Sequence, residues 1–76
     1  MEFSLDCLRP EQRAVVTRLE VGSALRCRLK AFGLIPNTRV LCCYRSPDGS
    51  VMSLECRGCV IAMRVKDLKH IWGHCQ

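Results

Sequence analysis

The stretch Leu25 to Val40, LRCRLKAFGLIPNTRV, constrains the fold more than any other, because it spells a helix, its stop and the start of a strand without interruption. Leu25, Leu29 and Phe32 recur at i, i+4 and i+7, which puts three apolar side chains on one helical face, while Arg26, Lys30 and the tail of Arg28 take the solvent side. Ser23, just ahead of Ala24, is the expected N-cap, its hydroxyl accepting a hydrogen bond from the first-turn amides. Gly33 ends the helix: the stop needs a positive φ that only glycine reaches cheaply, and it brings Leu34 back onto Leu29. Pro36 forbids continuation.

The flanking segments read as strands and turns. Ser4 to Leu8 reads as a short turn of helix or an entry arm anchored by Leu5 and Leu8, and Pro10-Glu11-Gln12 then turns the chain. Ala14 to Val21 is rich in β-branched residues and predicts the first strand, with Val15, Thr17 and Leu19 on one face and Val16 and Arg18 on the other. Thr38 to Arg45 predicts a strand with Val40, Cys42 and Tyr44 facing one way and Leu41 and Cys43 the other. Ser46 to Ser50 has turn composition, and beyond it Met52, Leu54 and Cys56 alternate with Val51, Ser53 and Glu55. A turn at Arg57-Gly58 leads to Val60-Ile61-Ala62-Met63, which is apolar enough to be the best-buried strand. Val65 to Lys69 fits a single 3₁₀ or helical turn, His70-Ile71-Trp72 a last strand, and Gly73 to Gln76 a loose tail.

Two blocks of this sequence carry a family likeness. Leu29-x-x-Phe32-Gly33-Leu34-x-Pro36-x-Thr38-x-Val40 resembles the R-L-x-x-L-G-L-x-P-G-T-x-V segment of the ferrous iron transport protein A (FeoA) family, and Gly58 to Arg64 resembles its G-x-x-I-A-L-R block. The likeness covers about Leu5 to Trp72 and extends to the small barrel at the C-terminus of some iron-dependent repressors. It implies a mostly β protein with one inserted helix, a small SH3-like β-barrel. Glu11 and Asn37 stand where the family usually has glycine; among non-glycine residues, asparagine is one of the best suited to left-handed geometry.

Length and charge narrow the function independently of any likeness. A chain of 76 residues makes one domain, residues 1–76, and buries only about 60% of the surface its unfolded form exposes, which leaves little room for a deep catalytic cleft. The longest apolar run, Cys59 to Met63, is far short of the ~20 residues that span a bilayer, and the N-terminus has no secretion-signal pattern. A cytoplasmic protein, not membrane-inserted, is expected. The net charge of +5 comes mainly from arginine, spread from Arg9 to Arg64 rather than gathered into a stripe, and only four aromatic residues are present, so nucleic acid is not the expected partner. The field favours an acidic protein surface or anionic headgroups, or else the charges simply solvate the exterior. There is no phosphate loop, no H-E-x-x-H and no G-x-S-x-G, and the carboxylates are scattered; no enzyme is expected.

Seven cysteines raise two further possibilities. An odd count without a secretion signal argues against a disulfide framework. Cys56-x-x-Cys59 is the half-site of many zinc knuckles, and His70-x3-His74 has a familiar ligand spacing, so Cys56, Cys59, His70 and His74 form the candidate metal set, for zinc or Fe(II). The favoured reading is that the thiols are small apolar fillers in a reduced interior, with no cofactor required, and the metal set is its alternative. The leading function, implied by the family likeness, is an accessory protein of ferrous iron uptake, monomeric or weakly self-associating, that binds a membrane ferrous iron transporter with a GTP-binding domain. Its expected partner-binding residues are Arg26, Lys30, Leu34, Ile35 and Asn37, on and just after the helix; a metal-binding or metal-sensing domain is the alternative.

Overall fold

The helix and its stop form as the sequence predicts, and the helix lies on the outside of the sheet with Leu29 its one buried residue. The computed structural model describes residues 1–76. Helix α1 runs Ser23–Ala31 and ends in a double-bonded cap: Leu34 N–H donates to the Leu29 carbonyl and Gly33 N–H to the Lys30 carbonyl, each at 2.9 Å, with Gly33 at φ +87°. Two details at its ends differ from expectation. Ser23 is the first helical residue and Gly22 the cap, with no side-chain capping bond. Phe32 occupies the last position before the stop, is 46% exposed, and gives up its place in the core to Leu34, which is 1% exposed.

Six strands make one antiparallel sheet: β1 Glu2–Ser4, β2 Arg13–Leu19, β3 Arg39–Arg45, β4 Val51–Cys56, β5 Cys59–Arg64 and β6 Ile71–Cys75, in the order β1-β6-β2-β3-β4-β5. Laid flat, six strands would be about 24 Å wide and one layer thick. The molecule instead measures 29 × 24 × 23 Å, and inward side chains from β2 through β6 join Leu29, Leu34, Leu5, Leu8 and Leu68 in a single core. This is the small SH3-like barrel. A one-turn helix α2, Val65–Leu68, inserts Leu68 as its plug, and Arg45 Nη1 pins the turn after β1 by donating to the carbonyls of Asp6 and Leu8 at 2.7 and 2.8 Å.

Strict alternation survives only on β4, where Met52, Leu54 and Cys56 are buried as predicted. On β2 an irregularity between Val16 and Arg18 shifts the register by one, so Ala14, Val16 and Leu19 point inward in place of the predicted Val15, Thr17, Leu19 face. A second shift between Cys42 and Tyr44 turns Tyr44 out to 53% exposure. Strand β5 is not the best buried but an edge strand, with only Met63 inside and Val60 64% exposed. Residues 73–75 are no loose tail either. They belong to β6, which lies between β1 and β2, and β1 itself was not anticipated.

The β3–β4 turn makes a pH prediction. Asp48 accepts bonds from Ser46 Oγ at 2.6 Å, Ser50 Oγ at 2.8 Å and Ser50 N–H at 3.1 Å, and these, the Ser46 bond first, lower its pKa to about 2. Between that value and the ordinary 3.8 the unfolded state binds the proton and the folded state does not, so stability rises with pH there. The contribution is complete above about pH 4 and disappears as the pH falls toward 2. Thermal melts of Asp48→Asn should therefore show a shallower acid dependence than the unchanged protein in that window.

Candidate functional site

The loop that follows the helix stop is built to hold one shape. Thr38, buried although polar, donates its hydroxyl to the Gly33 carbonyl at 2.9 Å and accepts from Ile35 N–H at 3.3 Å, while Asn37, at φ +74° as its residue type allows, gives its N–H to Val16 O at 2.7 Å. Residues 33–38 are thus tied both to the helix and to β2. Leu34 points into the core, Ile35 is half-buried, and Pro36 and Asn37 face solvent.

Between this loop, α1 and the end of β2 lies a groove of about 400 Å³. Arg26, Lys30, Leu34 and Ile35, four of the five residues nominated from sequence, line it together, and Asn37 does not. Leu19, Pro36 and Arg18 complete the lining. Pro36, whose place in the stop signal marks it as a helix breaker, also walls the groove. Arg18 had no local signal at all; it comes to the groove through the pairing of β2. The floor is apolar and the rim cationic.

The three cations are held differently. Arg26 donates Nη2–H to the Leu19 carbonyl at 2.5 Å, which bridges helix and strand across the groove. Arg18 pairs with Glu2 at 3.1 Å and Glu20 at 2.7 Å and lies 4.8 Å over the Trp72 ring, whose Nε1–H donates to Glu20 at 3.0 Å. The bonds that Glu2 accepts, from Thr17 first and then Arg18, hold its carboxyl below the usual value, and the same Glu2 bond raises Arg18. Lys30 is exposed and makes none of the molecule's ion pairs. Leu34, by contrast, is a floor residue rooted in the core, so Ile35 and Pro36 are what an approaching apolar group would meet.

The candidate metal set is not assembled. Cys56 and Cys59 are directly paired across β4 and β5, as the hairpin reading required, but Cys56 is buried while Cys59 is exposed. His70 sits in the turn before β6 and His74 pairs with Glu2 and Val15 on the far side of β2 and β3 from that hairpin, and no three His, Cys, Asp or Glu side chains converge. Burial pushes the Cys42 and Cys56 thiols up, which disfavours the thiolate that ligation needs.

A barrel this small, with one helix inserted between its second and third strands and a cation-rimmed groove beside that helix, is a domain of SH3-like architecture. The pattern of the FeoA domain matches residues 3–74, and the chain belongs to that family, which is associated with ferrous iron uptake. The FeoA protein of Chlorobium tepidum has a solution structure similar to it, with a TM-score of 0.92 and 27% identity over 96% of this chain and 70% of that one. A crystal structure of an iron uptake regulatory protein (FeoA) superimposes with a TM-score of 0.86 at 17% identity, covering 100% of both chains. A manganese-dependent transcriptional repressor shares the fold, with a TM-score of 0.87 and 13% identity, and there the match spans 99% of this chain but 42% of the repressor. Among curated proteins nothing matches the chain significantly. No helix is long and apolar enough to cross a membrane.

Proposed function

We propose that this protein is a cytoplasmic accessory module of ferrous iron uptake that docks, through the groove between α1 and residues 34–36, on the cytosolic GTP-binding part of a membrane Fe(II) transporter. The observation that supports the docking site is the placing of Arg26 and Lys30 beside Ile35 and Pro36, over a base of Leu19 and Leu34. An apolar floor supplies contact area, and a cationic rim selects and attracts an acidic surface. Family membership supplies the iron-uptake setting.

Lys30 and Ile35 separate the two contributions. Lys30 has no ion pair to lose, so Lys30→Glu should leave the fold intact and slow association severalfold at low salt, with the difference shrinking as the screening length falls to about 8 Å at physiological salt. Ile35→Asp should instead weaken the complex about tenfold at every salt concentration, through faster dissociation. Surface plasmon resonance against the immobilised GTP-binding part measures both rates. Wild-type kinetics in both variants would remove the groove from the interface; no binding by the unaltered protein would remove the adaptor role itself.

A further inference from the structure

A second face of the barrel gathers positive charge that the chain leaves unanswered. Arg13 on β2, Arg39 on β3 and Arg57 in the β4–β5 turn line a polar groove of about 330 Å³ that shares no residue with the docking groove. Arg13 stands opposite Leu41 and Arg39 opposite Val15, so the two arginines are diagonal neighbours on the outer face of one strand pair, and Glu55, opposite Leu41 on β4, faces the same way. The molecule's ion pairs all belong to Arg18 and Arg64. Three arginines less one glutamate leave this groove with a net side-chain charge of +2, and none of the three arginines is in an ion pair.

Arg57 adds an independent observation. It takes a left-handed φ of +51°, in a two-residue turn where asparagine or glycine would be easier to accommodate. Its stem lies over the helix stop: a β-carbon on Gly33 would stand 2.6 Å from Arg57 Cδ. The stem of Arg57 thus crosses the space that a side chain at residue 33 would fill. With Arg13 and Arg39 it sets three guanidinium groups on the lining of one groove, where an anion would offset their mutual repulsion.

We propose that this groove binds the phosphate groups of a ligand carrying a di- or triphosphate, gripped by Arg13, Arg39 and Arg57. Planar guanidinium forks match phosphate oxygens in pairs, and several of them converging require an anion of more than one charge to offset their mutual repulsion. The volume lies at the small end of ligand sites, which suits the phosphate chain rather than a whole nucleotide. Soluble compounds and lipid headgroups both present such chemistry.

Titration of the full chain with sodium pyrophosphate and with tripolyphosphate at low salt, followed by calorimetry and by the arginine side-chain NMR signals, tests the site. Saturable binding is expected, with the signals of Arg13, Arg39 and Arg57 moving together. Arg39→Gln combined with Arg57→Gln should weaken it about tenfold or more, Arg13→Gln alone should also weaken it, and Lys66→Gln, on α2, should leave it unchanged. Thermal melts establish that each variant is folded. Sedimentation with phosphatidylcholine vesicles containing CDP-diacylglycerol, a lipid whose headgroup carries a diphosphate, then distinguishes the sources: vesicle binding displaced by pyrophosphate assigns a lipid headgroup, and its absence a soluble phosphate. Failure to saturate, or equal losses in Lys66→Gln and the arginine variants, would overturn the proposal in favour of diffuse charge attraction.

Discussion

Leu34→Asp is expected to unfold the protein rather than to weaken one of its contacts. Leu34 is 1% exposed, belongs to the main core, and its backbone closes the helix by bonding to Leu29 O. A carboxylate there must either be desolvated without a partner or take up a proton, and either route costs several kcal/mol on top of the lost packing. A 76-residue domain has only about 4–11 kcal/mol in total. Circular dichroism should show little native structure near neutral pH, with partial recovery in mild acid, where the carboxyl is neutral. A cooperative melt close to that of the unchanged protein would show that Leu34 lies at the surface after all. The distinction matters for the docking groove, because it makes Ile35, not Leu34, the informative apolar substitution.

Gly73→Val should be nearly as damaging, for a reason of space rather than charge. Gly73 lies on β6 between β1 and β2, opposite Phe3 and Val16, and a β-carbon there would stand 2.7 Å from Val15 O and 3.1 Å from Leu5 Cδ2. The nearer atom is backbone in a paired strand and cannot step aside. Relief requires the strands to part, at about 1–3 kcal/mol for ordinary overpacking and more where ladder bonds break. A urea titration should show a lower midpoint at an unchanged slope, and Gly73→Ala should fall between valine and glycine. An unaltered midpoint would mean that β6 is not clamped at this residue.

These two positions mark the limits of what the chain discloses to a reader. Leu34 was assigned to the right neighbourhood because a helix stop is local chemistry: Gly33, Leu34 and Pro36 state it within four residues. Its burial was underestimated because that depends on how closely β2 approaches, which no local pattern records. The two register shifts were illegible for a similar reason, since one extra residue on β2 or β3 reverses every later side chain without changing the composition. Strand β5 misled in the opposite direction. An apolar run is equally compatible with the interior and with an edge, and only the strand order decides. At the docking groove Arg26, Lys30 and Ile35 followed from the helix and its stop, whereas Arg18 arrived from a distant segment. Arg13, Arg39 and Arg57 are scattered in sequence and meet only through the outward faces of adjacent strands.

The pairing of Glu2 with His74 sets the two ends of the domain side by side on neighbouring strands. A unit whose entrance and exit share one edge can be appended to another polypeptide, or spliced into one, without stretching its host or disturbing its own interior. The barrel is in this sense portable. The same fold makes up 42% of a manganese-dependent transcriptional repressor, where it is one part of a longer chain.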